Sequence, residues 1–231
     1  MISFRDAALE LLPKGHSFNT CLACGLCSQA CPASGMEGMD PRKFVRMAML
    51  NMDEALLETP WVWMCTQCRR CTHVCPMHID IPQLVYLSRL NRAEENKPSG
   101  IVKSCKMALA NPGNSAMGAQ SADVREVVEE IVEEVKEEFP GLESMEVPFD
   151  KPGAYFFLNQ NSREPVTEPE EMAPLWKILH TVGADWTYGS KGWAAENYCM
   201  FAADEKGWES IVKNKAEAVE ELGCEVWLNT E

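Results

Sequence analysis

Two copies of one cysteine pattern constrain this 231-residue chain more than any other feature of its sequence. The copies are Cys21-x2-Cys24-x2-Cys27-x3-Cys31-Pro32 and Cys65-x2-Cys68-x2-Cys71-x3-Cys75-Pro76. This is a thiolate spacing that binds cubane [4Fe–4S] clusters, since three closely spaced cysteines can surround one cluster. The pattern therefore predicts two [4Fe–4S] clusters and a role in electron transfer.

The fourth cysteine of each copy precedes a proline that turns the chain away, and in this pattern it binds the other cluster. The expected ligation is therefore crossed between the two copies. One cluster is assigned to Cys21, Cys24, Cys27 and Cys75, and the other to Cys65, Cys68, Cys71 and Cys31.

Two other uses of cysteine fit the sequence less well. A structural zinc site is built from pairs of cysteine or histidine ligands, whereas each copy here has three close cysteines and a Cys-Pro end. A disulfide scaffold suits a short secreted chain, but this chain is long and has 11 cysteines, an odd number. It also opens without a charged and then apolar leader, so a reducing compartment is expected.

The charge of the chain is unevenly distributed. Residues 1–110 contain 12 basic and 10 acidic residues, whereas residues 111–231 contain 9 basic and 25 acidic residues. Such an acidic chain is a poor partner for nucleic acid. In the basic part, Arg69 and Arg70 lie inside the second cysteine copy, where they could offset the negative charge of a cluster or raise its potential.

The cysteine-bearing part is predicted to be mainly helical. Helical patterns begin at Ser3, at Asp40-Pro41 and at Ile81-Pro82, each with a capping residue or a first-turn proline. The last of them has leucines and Val85 on one face and Arg89 and Arg92 on its other face. A helix between the two cysteine copies leaves no room for the hairpin strands of a compact bacterial ferredoxin.

Large apolar side chains near the cysteines are predicted to form a shell that restricts water around the clusters. They are Trp61, Trp63, Met36, Met39, Met64 and Met77. Ordinary core packing is favoured over an electron path for the two tryptophans. His73 and His78 are not expected to be ligands, because each cluster already has four thiolates.

The middle of the chain is interpreted as a connector followed by one long helix. Residues 96–121 contain the turn signals Lys97-Pro98-Ser99-Gly100 and Asn111-Pro112-Gly113-Asn114. Residues 121–139 form an acidic amphipathic helix with a stripe of valines and isoleucine. That stripe is expected to pack within the chain, with a partner protein as the alternative.

From residue 153 the pattern changes to strand, helix, strand, helix, strand, which predicts a parallel sheet. The strands are placed at residues 154–158, 184–188 and 224–228, and the helices at 171–182 and 204–222. The chain stops three residues after the last strand, which suggests that it is part of a longer protein. The predicted fold class is α+β in two domains. Residues 1–110 are predicted to form a helical ferredoxin domain with two [4Fe–4S] clusters, and residues 151–231 a small α/β domain with a parallel sheet. An acidic helix and linker at 111–150 joins them.

The first part of the chain resembles the helical ferredoxin domain of heterodisulfide-reductase-like proteins. The resemblance is carried by the two cysteine copies with Gly25 inside the first, by the segment Met39-Asp-Pro-Arg-Lys-Phe44 between them, and by Ile79-Asp-Ile-Pro82 after the second. The resemblance covers about residues 15–110. The family includes the C and D subunits of heterodisulfide reductase, the C subunit of anaerobic glycerol-3-phosphate dehydrogenase, and DsrK-type subunits of a membrane complex.

In the D-subunit and DsrK-type members this domain is followed by CCG domains, and residues 154–231 resemble the start of one. The resemblance aligns the first CCG cysteine with Asn159 and the Cys-Cys pair with Tyr198-Cys199. This copy is therefore degenerate or incomplete. It implies that residues 150–231 bind no cluster of their own, and it leaves the roles of Cys105, Cys199 and Cys224 open.

The resemblance implies an electron-transfer iron–sulfur subunit of a membrane-associated respiratory complex. Its two clusters would relay electrons between a quinol-linked membrane partner and a thiol/disulfide-type site on this or another subunit. The resemblance also implies a cytoplasmic protein that is peripheral to the inner face of the membrane. The chain itself has no apolar run long enough to span a membrane. Two alternatives stay open: a catalytic disulfide reductase that uses Cys199 with Cys224 or Cys105, and a subunit of an anaerobic glycerol-3-phosphate or similar dehydrogenase.

Overall fold

The structure, a computed structural model, describes residues 3–12 and 18–230. The chain divides into two compact units, of which the first contains residues 1–99 and 201–203 and the second contains residues 100–200 and 204–231. The helices of the first unit are α1 (Phe4–Leu11), α2 (Leu26–Ala30), α3 (Pro41–Met49), α4 (Asp53–Glu58), α5 (Arg70–His73) and α6 (Ile81–Leu90). Short 3-10 turns lie between several of them, among them Phe18–Thr20 and Pro60–Met64.

Capping side chains set where the long helices of the first unit begin. The Ser3 hydroxyl accepts a hydrogen bond from the amide of Asp6, the Asp40 carboxylate accepts from the amides of Arg42 and Lys43, and the Asp80 carboxylate accepts from that of Gln83. The three helix starts predicted from the sequence are confirmed. The aromatic residues Phe4, Phe44 and Trp61 lie edge to face in the core of this unit, beside Leu56 and Leu84.

The second unit is built around a small parallel sheet. Its elements are α7 (Ser99–Ala110), α8 (Ser121–Glu138), β1 (Phe156–Asn161), α9 (Glu164–Thr167), α10 (Ala173–Thr181), β2 (Trp186–Thr187), β3 (Ala194–Ala195), α11 (Tyr198–Phe201), α12 (Glu205–Leu222) and β4 (Val226–Asn229). The last residue of α11 is grouped with the first unit. Strand β1 is central, because β2 and β4 pair in parallel with the same residues, Phe156 and Phe157, from opposite sides. Strand β3 pairs in parallel with the end of β1.

The predicted combination of helices with a small parallel sheet is confirmed, and the structure corrects three details of it. The proposed connector contains the 12-residue helix α7, since the Pro98 signal marks a helix start rather than a loop. Strand β1 continues through three polar residues at which the sequence pattern ended it. The two-residue strand β3 was not predicted because it is too short to form a pattern.

The polar end of β1 is buried because its side chains are hydrogen bonded. Asn159 is fully buried, its amide donates to the carbonyl of Gly192 at 2.5 Å, and its oxygen accepts from the indole of Trp227. The Gln160 oxygen accepts from the Tyr188 hydroxyl at 2.6 Å. A polar group can be buried when it has a hydrogen-bond partner, and these bonds provide the partners. A strand prediction that follows apolar residues alone does not detect such bonds, and it therefore ends β1 too early.

The apolar stripe of the acidic helix α8 packs inside its own unit, as expected. Val128, Ile131 and Val135 are buried in one cluster with Trp176 of α10 and Leu158 of β1. The glutamates of α8 lie on the opposite, exposed face. Among the helices of the described ranges, none combines the length and hydropathy needed for a membrane span.

Candidate cluster-binding site

The two cysteine loops repeat one backbone conformation. The third and fifth residues of each copy have positive φ angles, namely 52° at Ala23 and 86° at Gly25 in the first, and 57° at Gln67 and 62° at Arg69 in the second. Such left-handed residues curl a short segment tightly, and glycine accommodates them best. The internal repeat of the sequence is therefore also a repeat of structure.

Two short helices carry the chain from the third to the fourth cysteine of each copy. Helix α2 contains Cys27 and ends just before Cys31, and helix α5 contains Cys71 and ends two residues before Cys75. The two helices pack against each other. Because the two helices are adjacent, the fourth cysteine of each copy, which follows its helix, reaches the loop of the other copy.

The structure contains two cavities in the first unit, each lined by four of the eight cysteines. The first cavity is lined by Cys21, Cys24, Cys27 and Cys75. The second cavity is lined by Cys65, Cys68, Cys71 and Cys31. Each set joins three cysteines of one loop to the fourth cysteine of the other, which is the arrangement predicted from the Cys-Pro ends.

The walls of the second cavity are largely apolar. Met39, Trp61 and Met64 line it, as the sequence analysis expected, together with Ile81 and Val85. Such walls keep water from a bound cluster and lower the local dielectric constant. Met77 lines the first cavity.

Two residues of the expected apolar shell and the two histidines line neither cavity. Met36 is 55% exposed and is not among the lining residues of either cavity. Trp63 is half-buried and lies under the guanidinium of Arg89, with 5.3 Å between that group and the ring centroid. His73 and His78 are exposed and line neither cavity.

The electrostatics of the cysteine sulfurs fit a cationic metal. Burial raises the pKa of Cys27 and that of Cys65, and it raises the pKa of Cys71 to about 12. The neighbouring sulfur of Cys75 adds to the shift at Cys27, and that of Cys31 adds to the shift at Cys65. Thiolates crowded in this way need a positive partner, which iron supplies when it displaces the thiol protons. The donor set therefore fits [4Fe–4S] clusters.

One cysteine of each loop lies at the protein surface. Cys24 and Cys68, the second cysteines of the two copies, are exposed, whereas the other six are intermediate in burial. A cluster held in either cavity is therefore close to solvent on the side of its second ligand.

Arg69 and Arg70 line the second cavity, but both residues are exposed to solvent. Arg69 forms an ion pair with Asp80 at 2.6 Å while its side chain stays 65% exposed, and Arg70 is also exposed. Solvent and the Asp80 carboxylate screen these charges. We therefore expect the double substitution Arg69→Gln, Arg70→Gln to change the potential of the second-cavity cluster only slightly, as measured by redox titration, and a large negative shift would contradict this interpretation.

The sequence interpretation placed Arg89 on the wrong face of its helix. Arg89 was assigned to the polar face of its helix with Arg92, but it is 1% exposed and donates hydrogen bonds to the carbonyls of Val62 and Cys65. Burial lowers the pKa of Arg89, and the negative charge on Cys65 opposes that shift. The missed signal is its spacing, since Arg89 is four residues after the buried Val85 and seven after the buried Pro82.

Two of the remaining cysteines are joined to each other. Cys105 of α7 and Cys199 of α11 are both buried and form a disulfide within the second unit. The Asp204 carboxylate, which caps α12, lies 3.6 Å from the Cys105 sulfur. The sequence left the roles of Cys105 and Cys199 open, and the structure pairs them with each other. Cys224 is a free cysteine that lies before β4 and is half-buried rather than inside a buried strand.

Comparison with known proteins finds cluster proteins over the same region. Residues 17–79 match the family of 4Fe-4S dicluster domains. Over 80 residues the chain is 31% identical to the C subunit of the H(2):CoB-CoM heterodisulfide,ferredoxin reductase of Methanothermobacter marburgensis, and this covers 35% of this chain and 43% of that protein. No solved structure matches the chain significantly.

Two further relatives carry similar names. The chain is 32% identical over 77 residues to a protein of Archaeoglobus profundus named as similar to the C subunit of heterodisulfide reductase, covering 32% of this chain and 40% of that one. It is 32% identical over 97 residues to the C subunit of the ferredoxin:CoB-CoM heterodisulfide reductase of Methanosarcina mazei. This alignment covers 39% of this chain and 60% of that protein. The chain thus spans less than half the length of the first two relatives. The predicted resemblance to heterodisulfide-reductase-like iron–sulfur subunits, and [4Fe–4S] clusters as cofactor, are confirmed.

Proposed function

We propose that this chain is an electron-transfer subunit of a heterodisulfide-reductase-like redox complex, in which each of the two cysteine-lined cavities holds one [4Fe–4S] cluster. When bound, such a cluster accepts and releases single electrons. The observation that carries the proposal is the pair of cavities, each lined by three cysteines of one loop and one of the other.

The residues of the chain have distinct tasks in this proposal. The left-handed residues of each loop curl it so that three sulfurs face one cavity, and the packing of α2 on α5 delivers Cys31 and Cys75 to the opposite loops. Apolar side chains exclude water from the cavities. The exposed Cys24 and Cys68 leave an edge of each site open toward a donor or an acceptor.

The proposed partners are other subunits of the same complex. The relatives are named as C subunits of heterodisulfide reductases, and this supports a chain that works between two other redox proteins. We further propose a quinol-linked membrane subunit as one partner, a thiol/disulfide-type site as the other end of the path, and a cytoplasmic position at the inner face of the membrane. We also propose that the chain is a subunit of the DsrK type.

A catalytic role of the second unit in disulfide reduction is disfavoured. Cys105 and Cys199 are 3% and 0% exposed and are bonded to each other, so an external disulfide has no access to either sulfur. Cys224 is a single thiol. A disulfide reductase assay of the isolated chain tests this directly, and turnover without added subunits would favour the catalytic alternative.

Analysis of the anaerobically purified chain tests the main proposal. We expect about eight iron atoms and about eight acid-labile sulfides per chain, and the uptake of about two electrons in a reductive titration followed by electron paramagnetic resonance. Reoxidation by a one-electron acceptor whose potential lies above those of both clusters should return both electrons. Zinc in place of iron, or clusters that accept no electrons, would contradict a role in electron transfer.

A further inference from the structure

Arg89 is a buried cation whose hydrogen-bond partners, among the residues that the structure describes, are all carbonyl oxygens. Its Nε and Nη2 atoms donate to the Val62 carbonyl at 3.1 and 2.6 Å, Nη2 also donates to the Cys65 carbonyl at 2.5 Å, and Nη1 donates to the Phe201 carbonyl at 3.4 Å. Within residues 3–12 and 18–230, no ion pair joins Arg89 to a carboxylate.

Two aromatic rings complete the surroundings of the guanidinium. The ring centroid of Trp63 lies 5.3 Å from its central carbon, and that of Phe201 lies 5.7 Å away. Ring faces and carbonyl dipoles stabilise a cation, but neither carries a net negative charge. A fully buried charge is costly unless a charge of opposite sign compensates it, so this site calls for an anion close by.

The second cavity supplies the anion once it is loaded. Cys65 lines that cavity and is one of the cysteines proposed to bind its cluster, and its own carbonyl is a partner of Arg89. A cubane with four thiolates carries a net negative charge, and reduction adds one more. A positive charge that is held nearby in a medium of low dielectric constant stabilises the reduced form more than the oxidised form.

We infer that Arg89 positions the loop of Cys65 and supplies the buried positive charge that raises the reduction potential of the second-cavity cluster. The inference rests on the proposed function, because it requires a cluster bound by Cys65, Cys68, Cys71 and Cys31. It assigns to the buried Arg89 the role that the sequence suggested for Arg69 and Arg70, which line the second cavity but are exposed to solvent.

Arg92, which lies two residues after the end of α6, provides a matched control. Its guanidinium lies 5.8 Å from the ring centroid of Trp63 and donates to the carbonyls of Leu56 and Thr59, at 3.3 and 2.5 Å. Neither carbonyl belongs to a cysteine. Substitution of Arg92 by glutamine therefore removes the same charge and a comparable set of hydrogen bonds from the same region, without touching the loop of a proposed ligand.

The experiment compares the full chain with its Arg89→Gln, Arg89→Lys and Arg92→Gln variants by redox titration followed by electron paramagnetic resonance. The Cys31→Ser variant assigns the two signals to the two cavities. We expect Arg89→Gln to shift the midpoint potential of the second-cavity cluster to a more negative value and to leave that of the first-cavity cluster in place. Arg89→Lys keeps the charge and should keep the midpoint, although it holds the loop less firmly. Arg92→Gln should shift the midpoint much less than Arg89→Gln.

The outcomes separate the inference from the function on which it rests. If the parent chain contains no redox-active clusters, the proposed function fails first. If the parent chain is loaded and Arg89→Gln retains both clusters with an unchanged second-cavity midpoint, the inference about Arg89 is wrong. If Arg89→Gln does not assemble its clusters, Arg89→Lys decides, because a midpoint shift in that charge-preserving variant contradicts the electrostatic role and a parent-like midpoint supports it.

Discussion

Replacement of Cys31 by serine should empty the second cavity and leave the first one loaded, although Cys31 belongs to the first cysteine copy. The physical reason is that Cys31 leaves helix α2 toward Cys65, Cys68 and Cys71, with which it lines one cavity. A serine hydroxyl is a far weaker iron ligand than a thiolate. We expect iron to fall from about eight to about four atoms per chain, with one of the two paramagnetic signals retained.

Alkylation followed by mass spectrometry can show which cavity has been emptied. Cys24 and Cys68 are equivalent exposed cysteines of the two loops, so they serve as reporters of the same kind. In Cys31→Ser the alkylating reagent should modify Cys68 and spare Cys24, and in Cys75→Ser it should do the reverse. Cys224→Ser, which changes a cysteine outside both cavities, is the control and should retain all the iron. Modification of Cys24 in Cys31→Ser would mean that each loop binds its own fourth cysteine.

The arrangement of the cysteine loops could be predicted from the sequence because local spacing determines it. Three cysteines at intervals of three residues can face one point, and a proline after the fourth turns the chain away. The structure brings together the two sets of four that this spacing predicted, and their binding of iron stays a prediction. The helix starts at Ser3, Asp40-Pro41 and Ile81-Pro82 were predictable for the same reason, since a cap or a first-turn proline acts within a few residues.

Features that depend on distant partners could not be predicted in this way. Arg89 is charged, and partners distant in the sequence explain its burial, among them the carbonyls of Val62 and Cys65, more than twenty residues earlier. Asn159 ends an apolar run in the sequence, but partners at Gly192 and Trp227 keep it inside β1. In both cases a polar side chain indicates a surface position until its partner is known.

The pairing of Cys105 with Cys199 is a third feature of this kind, because 94 residues separate the two. Their sequence surroundings resemble no disulfide or metal motif. The fold makes the pairing possible by placing α7 beside α11 within the second unit, where both sulfurs are shielded from solvent. Burial of this kind also protects a disulfide from exchange with small thiols, since exchange requires access to a sulfur atom.

Substitution of both cysteines by alanine should destabilise the second unit without loss of iron. A cross-link that closes a loop of this length restricts the unfolded chain, and its removal costs about 2–5 kcal/mol of unfolding free energy. Hydrogen exchange measured by mass spectrometry on peptides from α7 and α12 reports on this unit specifically, and we expect faster exchange there than in the parent chain under non-reducing conditions. Peptides from α3 and α6 of the first unit should exchange as before.

The same double variant tests whether the second unit binds a cluster of its own. The resemblance to a CCG domain that the sequence suggested implies a site of five cysteines and would place Asn159 and Tyr198 at two of their positions. Of the cysteines in this region, Cys199 is bonded to Cys105 and Cys224 stands alone. We therefore expect the Cys105→Ala, Cys199→Ala variant to keep about eight iron atoms per chain, bound by the eight cysteines of the two loops. Cys224→Ala is the matched control, because it removes a thiol of the same unit without removing a cross-link. A drop in iron in the double variant, with the second unit still folded, would show that Cys199 or Cys105 is a ligand and that the disulfide is not the state of the loaded protein.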